Sequence, residues 1–97
     1  MEKEQTIKIL SAHLDEIRQR FGVESLALFG SVVKGTARPD SDLDMLVTFR
    51  RTPGLFGFLE LKQYLEQLMS CPVDLVTEKA LKKQLKEEIL REAISVH

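Results

Sequence analysis

The stretch from Asp42 to Arg50 limits the possible folds more than any other part of the chain. Leu43, Met45, Val47 and Phe49 point one way, and Asp42, Asp44, Leu46 and Thr48 point the other. That period of two belongs to a β-strand, which buries one face. The other face opens on two carboxylates two residues apart, roughly 7 Å at the backbone. Packing gains nothing from such a pair at the head of an apolar strand, and like charges side by side destabilise it. A hard divalent cation would offset that cost, and magnesium prefers oxygen ligands completed by water and substrate phosphates.

The rest of the chain supplies a frame for this strand. Ile7, Leu10, Leu14, Ile17 and Phe21 form one helical face between Glu2 and Phe21, stopped by Gly22. Val23 to Phe29 reads as a short buried strand. Gly30 to Ser41 is loop, with one helical turn expected over Ser31–Lys34. After the turn at Arg51 to Gly54, Phe58, Leu61, Leu65 and Leu68 form a second helical face, widened by Leu59 and Met69. Cys71-Pro72 breaks that helix, and Pro72 to Thr77 forms a third strand. Thr77 is the expected cap of a last helix, with Glu78 in its first turn and Leu81, Leu85, Ile89 and Ala93 as its buried stripe. Helices between strands predict an α/β (α+β) chain, a small sheet of three or more strands with about four helices packed on it.

With 97 residues, the chain has room for one domain, 1–97, and none for a second that closes over a ligand. Its apolar runs fall far short of the ~18 residues of a membrane span, and its charged start does not suit a signal peptide. A net charge of −1 disfavours nucleic acid bound through charge. One cysteine, Cys71, excludes an internal disulfide and a multi-cysteine zinc site and makes a cytosolic address the default.

The chemistry concentrates in Gly30-Ser31, Gly35, Ser41, Asp42-Leu43-Asp44 and Asp74. Gly30-Ser31 stands where a strand meets a helical turn, and free N–H groups at such a junction suit phosphate oxygens. Gly35 lets the chain leave that turn with positive φ. Asp74 is the one charged residue in its apolar strand, where a charge is costly unless paired or metal-bound. If that strand neighbours the Asp42 strand, three carboxylates converge. Asp42 and Asp44 could then hold two metals, and Asp74 could ligate one and accept a proton.

Other sites fit less well. An EF-hand starting at Asp40, Asp42 and Asp44 would need glycine at Met45 and glutamate at Arg51. Lys34-Gly35-Thr36 has the wrong order for a Walker loop. Lys34 and Arg38 are loop cations, each a candidate triphosphate contact or a solvated charge. His13 and His97 read as surface residues, and Cys71 as a small packed residue rather than a nucleophile. Tyr64 lies one residue off its helix's stripe, as an interface residue or a target of self-modification. Phe56 and Phe58 are candidates for partner contact, with core packing as the default. The charged run from Lys82 to Glu92 reads as a solvated helical face.

Taken together, Gly30-Ser31, Gly35, Asp42-Leu43-Asp44 and the later Asp74 resemble the nucleotidyltransferase superfamily of DNA polymerase beta, kanamycin nucleotidyltransferase and poly(A) polymerase. The Gly35 to Asp42 run is similar to that of the minimal nucleotidyltransferase (MNT) branch, with the likeness running from Gly22 to about Ala93. Val33 stands where many members carry a polar or basic residue. The resemblance implies a mixed sheet and an adenylyltransferase of the antitoxin kind. It implies transfer of AMP from ATP, with Mg2+ (two ions), onto a tyrosine of a HEPN-domain toxin, within a hetero-oligomer in the prokaryotic cytoplasm. A rival class is a non-catalytic antitoxin that neutralises its partner by contact.

Overall fold

A computed structural model describes residues 2–38 and 41–97. Asp40, the first ligand position of the rejected EF-hand, lies outside the described residues. The elements are α1 (Lys3–Phe21), β1 (Val23–Phe29), α2 (Ser31–Lys34), β2 (Leu43–Phe49), α3 (Leu55–Met69), β3 (Val73–Thr77), a 3₁₀ turn (Glu78–Ala80), α4 (Lys83–Glu92) and β4 (Ile94–Ser95). The expected order holds, with one strand added at the end.

The sheet order is β3-β2-β1-β4. β1 runs antiparallel to β2 and to β4, and β3 runs parallel to β2. The sheet is therefore mixed, as the resemblance implied. Its core face carries Leu26 and Leu28 of β1, Leu43, Met45 and Val47 of β2, and Val73 and Leu75 of β3, all buried. Leu10, Leu14 and Ile17 of α1 and Leu61, Leu65 and Met69 of α3 cover that face in one cluster. Each fully buried aliphatic side chain contributes roughly 1.5–3 kcal/mol.

The opposite face carries Asp44, Leu46 and Thr48. Leu46 is buried without belonging to the core cluster, and its row continues through Ala27 of β1 and Val76 of β3. α4 links the β3 edge to the β4 edge. Lys86 pairs with Glu78 at its start and Glu92 with Lys34 at its end. A cavity of about 510 Å3 separates Lys79 and Lys86 from Thr48 and Glu24.

Several expectations need correction. α4 buries none of its residues, and Leu85 and Leu90 are about half exposed at 51 % and 45 %. The predicted buried stripe is therefore only partly covered, because the helix stands off the sheet. The Thr77 side chain caps nothing, since a 3₁₀ turn intervenes and α4 begins at Lys83. The 94–95 strand escaped the reading because two residues are too few to show a period. Leu59 and Phe56 are exposed on the first turns of α3, while Phe58 packs against the core. His13 is half-buried, with Nδ1 2.9 Å from the Ile9 carbonyl. Tyr64 meets Phe21, and its hydroxyl donates to Glu16 at 3.1 Å. That position lies between α1 and α3, which cover the core face of the sheet, whereas Asp44 lies on the opposite face.

Candidate functional site

The site forms where three strand ends meet. β1 ends at Phe29, opposite Asp44 in the antiparallel register. On the other side, Asp44 stands opposite Asp74 in the parallel register. Asp42 lies one residue before β2 begins and is exposed. Its geometry differs slightly from the expected strand position, but it remains two residues from Asp44 at the same end. Asp74 is also exposed, because β3 is an edge strand, so its charge is solvated rather than buried.

Gly30 is the tightest point. Its φ of 76° and ψ of −145° belong to glycine, and a Cβ there would stand 2.1 Å from Asp44 Oδ2. The missing side chain lets the chain turn into α2 directly against the Asp44 carboxylate. The Gly30 carbonyl accepts from the N–H groups of Val33 and Lys34, both at 3.1 Å. The N–H groups of Ser31 and Val32, at the head of the turn, have no acceptor within it. Gly35 closes the turn in the left-handed region, φ 75°, and it and Thr36 both donate to the Ser31 carbonyl.

The electrostatics follow from this crowding. Burial pushes the Asp44 carboxyl above its ordinary range, and Asp74, close enough to share a proton, pushes it further, with a smaller contribution from Asp42. Nearby, burial raises the Cys71 thiol, and Asp42 and Glu66 add to the effect. Cys71 is thus no activated nucleophile.

The remaining candidates are placed as follows. Ser31 is the first residue of α2 and half-buried. Ser41 is bonded to Arg38: its Oγ accepts from the Arg38 N–H at 2.9 Å, and its own N–H donates to the Arg38 carbonyl at 3.0 Å. Arg38 lines a small cavity of about 20 Å3 with Ser41, Asp42 and Cys71. Lys34 Nζ stands 3.6 Å from Glu92 Oε2, an exposed pair directed at α4. Val33 leans on the core. Two residues escaped the reading. Phe29 shares the open face with Asp44, a position that the alternation of β1 could have revealed. Glu66 accepts the Val73 N–H at 2.9 Å, one residue before Asp74, a contact that no sequence period encodes.

The donor set suits magnesium: hard carboxylate oxygens, with no imidazole among them. The expected convergence of three carboxylates is met only as a pair: Asp44 and Asp74 face each other, and among the described residues no group of three Asp, Glu, His or Cys side chains is placed to hold a metal ion. Magnesium does not need such a group, since it takes one or two carboxylates and completes its octahedron with phosphate oxygens and water.

The model for the nucleotidyltransferase domain matches residues 10–96. The chain is 46 % identical over 93 residues to protein adenylyltransferase MntA of Thermococcus cleftensis, covering 96 % of this chain and 94 % of that one. A solved structure assigned as a minimal nucleotidyltransferase superposes with a TM-score of 0.81 at 40 % identity, covering 97 % and 95 % of the two chains. The fold also recurs, at 18 % identity and a TM-score of 0.67, in a complex of an MNT antitoxin with the tri-AMPylated HEPN toxin of Shewanella oneidensis, covering 94 % of this chain and 71 % of that one. The glycine-cradled carboxylates, the mixed sheet and these likenesses agree: the chain belongs to the nucleotidyltransferase-domain family, in its minimal branch.

Proposed function

We propose that the chain transfers AMP from ATP to a hydroxyl, a tyrosine by resemblance, of a HEPN-domain toxin, and so acts as its antitoxin in the prokaryotic cytoplasm. The observation that carries this reading is the fit of Gly30 against Asp44, which brings the head of α2 up to the facing Asp44 and Asp74 carboxylates. The identity to a protein adenylyltransferase and the AMPylated toxin bound to a protein of the same fold support the acceptor class. No helix among the described residues is long and apolar enough to cross a membrane.

In this reading the N–H groups of Ser31 and Val32 and the Ser31 hydroxyl hold phosphate oxygens, with Lys34 and Arg38 as further cations and Ser41 holding the Arg38 backbone. Gly35 ends the helical turn so that these donors face one way. Asp42, Asp44 and Asp74 are the residues that would hold Mg2+, which when bound neutralises phosphate charge. Asp74, solvent-facing at the sheet edge, accepts the proton of the attacking hydroxyl. The hydroxyl oxygen forms a bond to the α-phosphorus as the bond to the bridging oxygen breaks, and pyrophosphate leaves with that electron pair. Alignment and charge neutralisation supply most of the acceleration.

Contact alone is the second reading. The exposed Leu55, Phe56 and Leu59 on α3 favour it, since apolar side chains in water are what an interface buries. One experiment separates the two. Purified protein, ATP, magnesium and the product of the adjacent reading frame are mixed, and that product is weighed by intact mass. A gain of whole AMP units, lost in Asp42→Asn, is expected. A stable complex with no added mass would establish contact alone.

A further inference from the structure

The corner between α3 and β3 is built more firmly than a connection between a helix and an edge strand requires. α3 ends at Met69. Ser70 takes the left-handed region at φ 56°, the one non-glycine with positive φ among the described residues. The chain passes through Cys71 and Pro72 and enters the strand. There the Pro72 carbonyl accepts the Leu43 N–H at 2.9 Å. Leu43 is the residue between Asp42 and Asp44, and Pro72 stands two residues before Asp74. The two carboxylate-bearing segments are thus tied together at this corner.

Val73 follows Pro72. In a parallel ladder alternate residues of an edge strand face the neighbour, so with Asp74 paired toward β2 the Val73 N–H points to the free side. Water would satisfy it there. Instead the Glu66 carboxylate, on the last turns of α3, accepts it at 2.9 Å. Among the described residues it is the one N–H of β3 that donates to a side chain. A bond from N–H to carboxylate is stronger than a neutral one, and this one grips the residue next to Asp74. Glu66 is half-buried, so it does not swing freely in solvent.

We infer that Glu66 is a positioning residue of the carboxylate site, fixing the start of β3 and thereby the placement of Asp74 beside Asp44. The inference rests on the assignment of Asp74 to the reaction. Asp74 sits on an exposed edge strand, where fraying would move it. A carboxylate misplaced by about 1 Å costs on the order of a hundredfold in rate. Loss of a group that orients a ligand costs about ten- to hundredfold in metal affinity or activity.

The test compares Glu66→Ala, Glu66→Gln and Asp74→Asn in the full chain. Hydrogen exchange of the Val73 amide is read by NMR. Binding is read as the magnesium concentration that half-saturates thermal stabilisation by α,β-methylene ATP, which cannot release pyrophosphate. Transfer to the adjacent-frame product is read as kcat and KM. Glu66→Ala is expected to speed Val73 exchange and raise the half-saturating magnesium about tenfold. It should lower kcat by about ten- to hundredfold while KM for ATP moves less than about twofold. Glu66→Gln, whose amide oxygen still accepts, should restore all of these. If Glu66→Ala does not fold, Glu66→Asp, one methylene too short, carries the same expectation. A loss of folded fraction alone would leave the magnesium requirement unmoved, and that result overturns the inference. So does unchanged Glu66→Ala behaviour beside an inactive Asp74→Asn. Full transfer by Asp74→Asn overturns the underlying assignment of Asp74 as well.

Discussion

Removing the charge of Asp44 should make the resting protein more stable while abolishing transfer. Asp44 stands directly opposite Asp74 on the neighbouring strand, the two backbones about 5 Å apart by strand spacing and the carboxyls no farther. Two like charges at that separation repel by about 0.8 kcal/mol in water-like surroundings and about 3 kcal/mol at an effective dielectric constant of 20. Asp74 is exposed and Asp44 half-buried, so the pair lies toward the lower figure, about 1 kcal/mol, with a smaller share from Asp42. For a chain of this size that corresponds to a melting temperature about 4–8 °C higher in Asp44→Asn.

The pH dependence fixes the sign. The folded-state pKa of Asp44 lies above its ordinary 3.8, with burial as the first cause and Asp74 as the second. The fold therefore binds the proton more tightly than the unfolded chain does. The destabilisation is absent below pH 3.8, grows as pH rises through the raised folded value, and is complete above it. Thermal melts of wild type and Asp44→Asn should coincide in acid and separate toward neutrality, with the variant the more stable. Magnesium with α,β-methylene ATP should stabilise wild type and leave the variant almost unmoved. A variant less stable than wild type at neutral pH would refute the reasoning, because it would show that the Asp44 carboxylate is held by favourable contacts rather than strained by like charge.

Gly30→Ala should lose both stability and transfer. A residue with a Cβ at φ 76° and ψ −145°, a region essentially restricted to glycine, costs about 1–3 kcal/mol, and that Cβ would overlap Asp44 Oδ2, so the carboxylate must move. Denaturant titration and the mass assay check this, and full transfer by the variant would sink the cradle reading. Leu65→Ala, at a fully buried position, should cost about 2–5 kcal/mol, whereas Leu85→Gln on α4, half exposed, should stay within about 0.5 kcal/mol. Comparable losses in denaturant titration would mean that α4 packs far more tightly on the sheet than its exposure indicates.

The sequence disclosed most where one physical cause acts along consecutive residues. The alternation of Leu43, Met45 and Val47 against Asp44 and Leu46 is a strand signal, and it places the carboxylates on the face away from the core. The spacing of Leu10, Leu14 and Ile17, like that of Leu61 and Leu65, gives each helix its buried side. What stayed hidden depends on contacts between distant residues. Leu85 and Ile89 have the spacing of a buried stripe, yet spacing cannot say how far a helix stands from its sheet. The pairing of β4 with Ala27 and Leu28 and the bond from Val73 to Glu66 are decided by where the chain returns in space. The bond from the Arg38 N–H to Ser41 Oγ is likewise a contact that no sequence period encodes.

The mixed topology is what assembles the site. β2 and β3 are parallel, so Asp44 and Asp74, both near the starts of their strands, share one end of the sheet. β1 is antiparallel to β2, so its finish brings Gly30 and Ser31 to that same end. Were β1 parallel to β2, its seven residues would carry Gly30 to the opposite end, about 20 Å away, and no single triphosphate could touch both the turn and the carboxylates. The charge cost of three aspartates at one end is bearable because that end is solvated on one side and the core lies on the other. Leu26, Leu28, Met45 and Val47 hold the strands in register from behind, while the repulsion in front remains for a bound cation to relieve. A site that destabilises its own resting state and a core that keeps it from springing apart are therefore two faces of one sheet.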